Sequence, residues 1–500
     1  MILPCLGLLK LTILLPLYFV KIRFFGEHKE VESVKDIGIL HVPCHANGGG
    51  EKVLWAIVNR LVQEKKYNIH IYSDIMPEKE AMIEKVNKFF GYNLKLTDFN
   101  LIELNNAHLS YSENWKIFSR YLEGWAQVLV TVDALNAFMP DLFIETATSH
   151  FSVFATKLLN PHLRTISYVH YPYTTPTVVE DYFKNGFFGP GPIKAKIFSI
   201  LKGVYHYGLL VWYKVLAYFS DVCLTNSSWT QAHMVSNWGE GVCEVVYPPC
   251  SVTEFWEVDR THKKNIIVSL GQFRPEKRHD IQLDMLKYHQ KLHPESDIEL
   301  RILGSAKFAE SEEIIKHLEH RIKTEKIKNV KILRDLRFND LKQEIKQATY
   351  GIHTMIDEHF GIGIVDMLSG GLITLAHKSA GPRDDILGNH THELYGYLAE
   401  DDKDFNVTLN KLIENYQDPQ KREVMLQRTK KGQDFAKKHL SNEAFADKMY
   451  KFIVKADREI KAAAHDRMLA KDAKREHNFH HDVDQGKESQ ETDDEEGTDL

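Results

Sequence analysis

His41-Val-Pro-Cys-His-Ala-Asn-Gly-Gly-Gly-Glu-Lys-Val-Leu-Trp55 is the stretch on which the fold turns. The run that leads into it, Ile37 to Val42, is short and apolar, as a buried strand is. The run that leaves it, Glu51 to Gln63, carries apolar residues at helical spacing. Glycines between a strand and a helix let the backbone approach a phosphate closely, and the helix N-terminus behind them offers free N–H groups and the positive end of a dipole. The pattern is not G-x-G-x-x-G, so it is a poor dinucleotide fingerprint. Taken alone, the triple glycine suits a tight turn as well as a ligand site.

The same strand-then-helix alternation continues on both sides. Asn68 to Ser73, Asp141 to Glu145, Thr165 to His170 and Val222 to Asn226 read as further strands. After Pro248-Pro249 a second set follows, at Asn265 to Leu270, Glu299 to Leu303, Val330 to Leu333, Tyr350 to Thr354 and Leu372 to His377. Short apolar strands separated by helices predict parallel sheets covered on both faces. Two sets predict an α/β protein of two Rossmann-like, doubly wound domains, over 36–250 and 260–440, facing a central cleft. Ligands then belong beyond the carboxyl ends of the strands. A C-terminal helix is expected over 441–465 and an acidic, disordered tail over 466–500, since Glu488 to Leu500 holds seven acids and no base.

A chain of 500 residues is too long for one core. The formal net charge of -6 and the lack of any dense basic field argue against a nucleic-acid partner. The five cysteines form no C-x-x-C pair, which argues against a disulfide framework and against structural zinc. Met1 to Val20 is apolar except for Lys10, and Lys21 and Arg23 follow it. About 20 apolar residues span a bilayer, so 1–25 is expected to be a transmembrane anchor, with the positive flank keeping the rest of the chain in the cytosol. From Tyr182 to Ser220 there is no acid, only lysines among aromatic and aliphatic residues. That bias predicts a basic, membrane-associated helix over 186–220.

Two further motifs carry chemistry. Gly271-Gln-Phe-Arg-Pro-Glu-Lys-Arg-His279 follows a strand and sets Arg274 and Lys277 at its carboxyl end, where they suit a diphosphate clamp. Asp357-Glu358-His-Phe-Gly-Ile-Gly-Ile-Val-Asp366 places Glu358 just before a short helix and Asp366 inside it. Glu358 suits sugar hydroxyls and Asp366 a ribose, while the backbone amides of Phe360, Gly361, Ile362 and Gly363 suit phosphate or sugar oxygens.

Together these motifs resemble glycosyltransferase family 4, a retaining group with the two-domain GT-B fold. The glycine turn, Ser167-Tyr-Val-His-Tyr-Pro172, Asn226-Ser-Ser-Trp-Thr230, Tyr247-Pro-Pro-Cys250, Gln272-Phe-Arg-Pro-Glu-Lys277 and His353-Thr-Met-Ile-Asp-Glu-His-Phe-Gly-Ile-Gly363 look like the α-1,2-mannosyltransferases of asparagine-linked glycosylation. The resemblance runs from about Gly38 to His439. It implies GDP-mannose as donor, a dolichyl-diphosphate oligosaccharide as acceptor, retention of configuration, no cofactor and no metal. It also implies residence at the endoplasmic reticulum membrane with the catalytic domains in the cytosol, and assembly with other mannosyltransferases of the pathway. Gly48, Gly49 and Gly50 would lie under the donor diphosphate, Arg274 and Lys277 would neutralise the departing GDP, Glu358 would open the family's E-x7-E motif, and His170 would face the reacting sugar. Three departures stand out: Asp366 replaces the usual second glutamate, Asn47 replaces a frequent glycine, and Ser149-His-Phe-Ser152 departs from the pattern. Another family 4 transferase acting on a different lipid-linked glycan, and a catalytically inactive nucleotide-binding scaffold, stay open as alternatives.

Overall fold

Strands buried on both faces need helices above and below them, and the computed structural model arranges the chain in that way. It describes residues 29–45, 48–76, 78–146, 150–256, 263–306, 309–388 and 393–493. The expected anchor over 1–25, Asn47 and Ser149 lie outside the described residues.

In chain order the first unit comprises β1 (Asp36–Leu40), α1 (Gly49–Glu64), β2 (Asn68–Ser73), α2 (Lys79–Phe90), β3 (Asn100–Glu103), α3 (Ser119–Ala137), β4 (Leu142–Glu145), α4 (His150–Leu159), β5 (Arg164–Val169), α5 (Pro176–Phe187), α6 (Ile193–Leu216), β6 (Val222–Thr225), α7 (Ser228–Trp238) and β7 (Cys243–Val245). The second comprises α8 (Val252–Trp256), β8 (Lys264–Leu270), α9 (His279–Leu292), β9 (Glu299–Gly304), α10 (Ala309–Thr324), β10 (Val330–Arg334), α11 (Phe338–Gln347), β11 (Ala348–His353), α12 (Ile362–Ser369), β12 (Ile373–His377), β13 (Tyr397–Ala399), α13 (Asp402–Gln417) and α14 (Pro419–His439), followed by α15 (Asn442–Asp493).

The first sheet has seven strands in the order β3-β2-β1-β4-β5-β6-β7 and the second six in the order β10-β9-β8-β11-β12-β13. Every pairing is parallel. In each sheet the strand order reverses once, between β1 and β4 and between β8 and β11. Those two switch points are where a doubly wound sheet opens a crevice for a ligand. The residues just beyond them are His41 and Thr146 in the first unit, and Gly271 and Thr354 in the second.

Ile39, Leu142, Ile144 and Tyr168 pack with Trp55 and Ile57 of α1 in the first core, and Ile267, Leu300, Ile302 and Ile352 anchor the second. The chain crosses between the units twice, side by side: Cys250 N–H donates to Leu440 O at 3.2 Å and Asn442 N–H to Cys250 O at 3.1 Å. Beyond that point α15 returns to the first unit, where Phe445, Met449, Phe452 and Ile453 complete its core.

Two expectations need correction. The C-terminal helix does not end at 465: α15 runs unbroken to Asp493, and residues 494–500 of the expected tail lie outside the described residues. Its sequence is rich in Ala, Lys, Glu and Arg, strong helix formers even where no apolar face is buried. The basic helix expected over 186–220 is α6, Ile193–Leu216: it starts seven residues later, after Gly189-Pro-Gly-Pro192, and pairs with α5, which ends at Phe187. Among the described residues no helix is long and apolar enough to cross a membrane.

Candidate active site

The glycine turn sits at the first switch point, between the end of β1 and the start of α1. Gly48 precedes α1, and its N–H donates to Glu51 Oε2 at 2.6 Å, so the turn is capped by its own helix. A Cβ on Gly49 would lie 3.3 Å from Ile362 Cδ1 of the second unit, and one on Gly50 would lie 3.5 Å from His41 and 3.8 Å from His170. The turn therefore touches the opposite wall of the cleft as well as two histidines of its own wall.

Those histidines are fixed by Thr146. His41 Nδ1 lies 2.8 Å from Thr146 Oγ1, and His170 Nε2 lies 3.2 Å from Thr146 O. A carbonyl can only accept, so His170 carries its proton on Nε2. Burial, reinforced by His41, pushes the His170 pKa down to about 4, so the ring is neutral at physiological pH. The backbone oxygen of His170 accepts from Asn226 Nδ2 at 2.9 Å, which ties the Asn226-Ser-Ser-Trp motif to the site.

Across the cleft, at the second switch point, Lys277 Nζ pairs with Glu358 Oε2, and His353 Nε2 lies 2.9 Å from the same oxygen. Burial alone would raise the Glu358 pKa. The hydrogen bond from His353 and the charge on Lys277 overcome it and hold the carboxyl well below its usual range. His353 is itself pushed down by burial, so it is the neutral ring that donates. Gly361 makes this arrangement possible: it caps α12 at φ +110°, and a Cβ there would meet Ile364 Cδ1 at 2.8 Å and Glu358 Cγ at 3.2 Å. Gly363 sits 2.9 Å, measured from a Cβ, above Leu270 O, which brings the start of α12 onto the end of β8.

The other expected residues fall in different settings. Arg274 stands at the rim, with 42% of its side chain exposed and Glu276 at 3.6 Å. Phe360 is core, stacked on Tyr247 at 5.7 Å, so only its backbone is available to a ligand. Asp366 lies inside the second turn of α12, and its Oδ1 has no hydrogen-bond partner among the described residues. Burial pushes its pKa up to about 6, opposed by Lys52 of α1 and reinforced by Glu254. Lys52 reaches across the boundary between the units, donating to Ser251 Oγ at 2.8 Å.

The structure also brings in residues that the motifs did not single out. His359 stacks on Tyr171 (4.4 Å, 16°) and on Trp229 (5.0 Å, 8°), both from the first unit, and those two rings also stack on each other (5.9 Å, 22°). Asp385 accepts from the Ser228 N–H at 3.1 Å, at the start of α7, and from Tyr247 Oη at 3.1 Å. His41 and His353 were visible as polar residues at the ends of apolar strands, and His359 as the neighbour of Glu358. The stack itself has no signal in one dimension.

Two parallel sheets with their switch points face to face, an amide-rich turn on one side and a lysine–carboxylate pair on the other, define a glycosyltransferase of the GT-B fold. Solved GT-B structures superpose over most of the chain. Sucrose-phosphate synthase from Thermosynechococcus elongatus matches with a TM-score of 0.60 at 12% identity, covering 86% of this chain and all of that one. Anabaena HepE in complex with UDP and glucose matches with a TM-score of 0.57 at 14% identity, covering 84% and 99%. The family model described as ALG11 mannosyltransferase N-terminus matches residues 34–238, and the one described as Glycosyl transferases group 1 matches residues 252–432. The mouse protein named GDP-Man:Man(3)GlcNAc(2)-PP-Dol alpha-1,2-mannosyltransferase is 31% identical over 80% of this chain and 85% of its own length. Its human counterpart is 30% identical over 81% and 86%. The chain belongs to this mannosyltransferase family.

Proposed function

We propose that this protein transfers mannose from GDP-mannose, with retention, to the 2-hydroxyl of a mannose on a dolichyl-diphosphate-linked oligosaccharide, adding the fourth and fifth mannoses of the N-glycan precursor. One observation carries the reading: Gly49 of the first unit packs on Ile362, four residues from the Glu358 that Lys277 and His353 hold in place. A diphosphate in that gap meets the amides of Gly49 and Gly50 on one side and the ammonium of Lys277 on the other. Arg274 closes on it from the rim. The donor's C1–O bond to phosphate breaks, the acceptor oxygen bonds to C1 on the same face, and the acceptor's proton leaves with GDP. Fixed cations and amides stabilise the charge that develops on the leaving group, without a metal. Glu358, ionised, and His170, neutral, meet sugar hydroxyls, and Asp366 offers its unpartnered oxygen to the ribose.

The α5–α6 hairpin supports work at a lipid surface. Phe188, Ile193, Ile197, Phe198 and Leu201 are exposed there beside Lys194 and Lys202. Such a face lies in the interface, apolar groups in the acyl boundary and lysines on anionic head groups. In this reading the hairpin rests on the cytosolic face of the endoplasmic reticulum membrane, among other enzymes of the pathway. Asn226, Asn389 (outside the described residues) and Asn406 stand in glycosylation sequons that, in this reading, remain unmodified on that side.

The test is a transfer assay with purified protein, GDP-mannose and a trimannosyl dolichyl-diphosphate acceptor, scoring the number and linkage of sugars added. Two α-1,2 mannoses from wild type and none from Glu358→Ala are expected. No transfer by wild type, or full transfer by Glu358→Ala, overturns the reading.

A further inference from the structure

A transferase that works on a lipid-linked glycan gains acceptor affinity by holding the charged junction between sugar and lipid. The geometry points to Arg120. We propose that its guanidinium, at the meeting of α3 with α6, binds the diphosphate that joins the acceptor glycan to its lipid. The proposal rests on the acceptor class argued above.

Three independent features converge on this residue. First, Arg120 is exposed, its Cζ lies 5.6 Å from the centroid of the Tyr173 ring, and among the described residues no ion pair claims it. A guanidinium lying over an aromatic face keeps its donor edge free for two phosphate oxygens. Second, it stands at the border of the lipid-facing surface. The preceding residues Ile117 and Phe118 are 70% and 60% exposed. Phe118 meets Tyr205 of the hairpin at 5.5 Å, and Tyr121 N–H donates to Tyr205 Oη at 3.0 Å. Third, Tyr173 ties the guanidinium to the cleft: two residues before it, Tyr171 feels the Arg120 charge and stacks its ring on His359, the neighbour of Glu358. Glu123, one turn along α3, is the acid nearest by. Burial raises its pKa, opposed by Arg120.

The shared chemistry of Arg120 with a phosphate has two sources, the acceptor's diphosphate or a membrane phospholipid, and the experiment separates them. Full-length protein in neutral detergent is assayed with two acceptors carrying the same trimannosyl glycan and phytanyl chain, one joined through a diphosphate and one through a plain ether. The expected result is a preference of wild type for the diphosphate acceptor that falls tenfold or more in Arg120→Gln, through KM for the acceptor, and is partly recovered in Arg120→Lys. KM for GDP-mannose and slow GDP-mannose hydrolysis stay unchanged. Wild type without a preference, or Arg120→Gln that keeps it, overturns the proposal. So does a variant whose only defect is weaker flotation with vesicles containing phosphatidylserine, which assigns Arg120 to the membrane. Absence of all transfer by wild type instead defeats the acceptor reading itself, and is recognised by the failure of both acceptors.

Discussion

Replacing His359 by alanine removes an imidazole stacked on both Tyr171 and Trp229, two rings that belong to the opposite unit. Each aromatic stack contributes about 0.5–1.5 kcal/mol beyond burial, so the two together hold His359, and the loop carrying Glu358, against the first unit by about 1–3 kcal/mol. That range corresponds to roughly 5–150-fold in the population of the assembled cleft. Glu358 keeps its bonds to Lys277 and His353 in the variant, so the chemistry is intact but less often aligned. His359→Ala should therefore lose roughly 5–150-fold in kcat/KM for mannosyl transfer, while His359→Phe, which restores both stacks and carries no N–H, should recover most of it. The assay is initial-rate transfer at fixed acceptor with GDP-mannose varied, alongside thermal unfolding to show that both variants fold. The positioning argument fails if His359→Ala is within twofold of wild type. It also fails if His359→Phe is as poor as alanine, because the imidazole then acts through its nitrogen rather than its face.

Lys277→Met leaves the Glu358 carboxylate, only 14% exposed, without its cation. Breaking a buried pair costs about 3 kcal/mol or more, so urea unfolding at pH 7 should show that loss, and transfer should fall on the order of 100–1,000-fold. The pH dependence follows from the lowered Glu358 pKa: its stabilisation is complete above the unfolded value of about 4.3 and is lost as the pH falls toward the folded value. The gap between wild type and Lys277→Met should thus narrow below about pH 4, and a gap that widens there would count against an ionised Glu358. Gly363→Ala places a methyl 2.9 Å from Leu270 O, backbone that cannot step aside, and should destabilise by about 1–3 kcal/mol. Gly208→Ala in α6, with nothing within 4 Å, should be neutral or stabilise by up to about 1 kcal/mol in the same thermal-melt comparison.

The long central strands were legible because parallel strands covered on both faces are nearly continuous apolar runs. β7 and β13 were not, since three residues at or near a sheet edge leave no periodicity to read. The start of the basic helix stood in the sequence as Gly189-Pro-Gly-Pro192, but the absence of acids drew the boundary back to 186. Within the site, the motifs were readable in combination rather than singly, because a glycine turn or a charge at a strand end has structural uses of its own. Their pairings were not. Lys277 and Glu358 meet because β8 and β11 are neighbours across the switch point, and His359 meets Trp229 only because two separate sheets face each other. Spacing along a chain carries no information on either.

The two carboxyls of α12 and its loop show why both units are required. Glu358 is satisfied within the second unit by Lys277 and His353, so it enters the cleft already charged and oriented. Asp366 is the opposite case: buried, with one oxygen unpartnered and its nearest cation, Lys52, supplied by α1 of the first unit. A buried carboxyl oxygen without a donor costs about 1–3 kcal/mol, a cost that hydroxyl groups of a bound ligand remove. Lys52, anchored on Ser251 beside the crossover, sets the charge that Asp366 faces. In the proposed reading, donor recognition at Asp366 is thereby linked to the packing of α1 against the second unit, and α1 is the helix that begins with the glycine turn. Whatever seats α1 then seats both the amides proposed for the diphosphate and the cation beside Asp366.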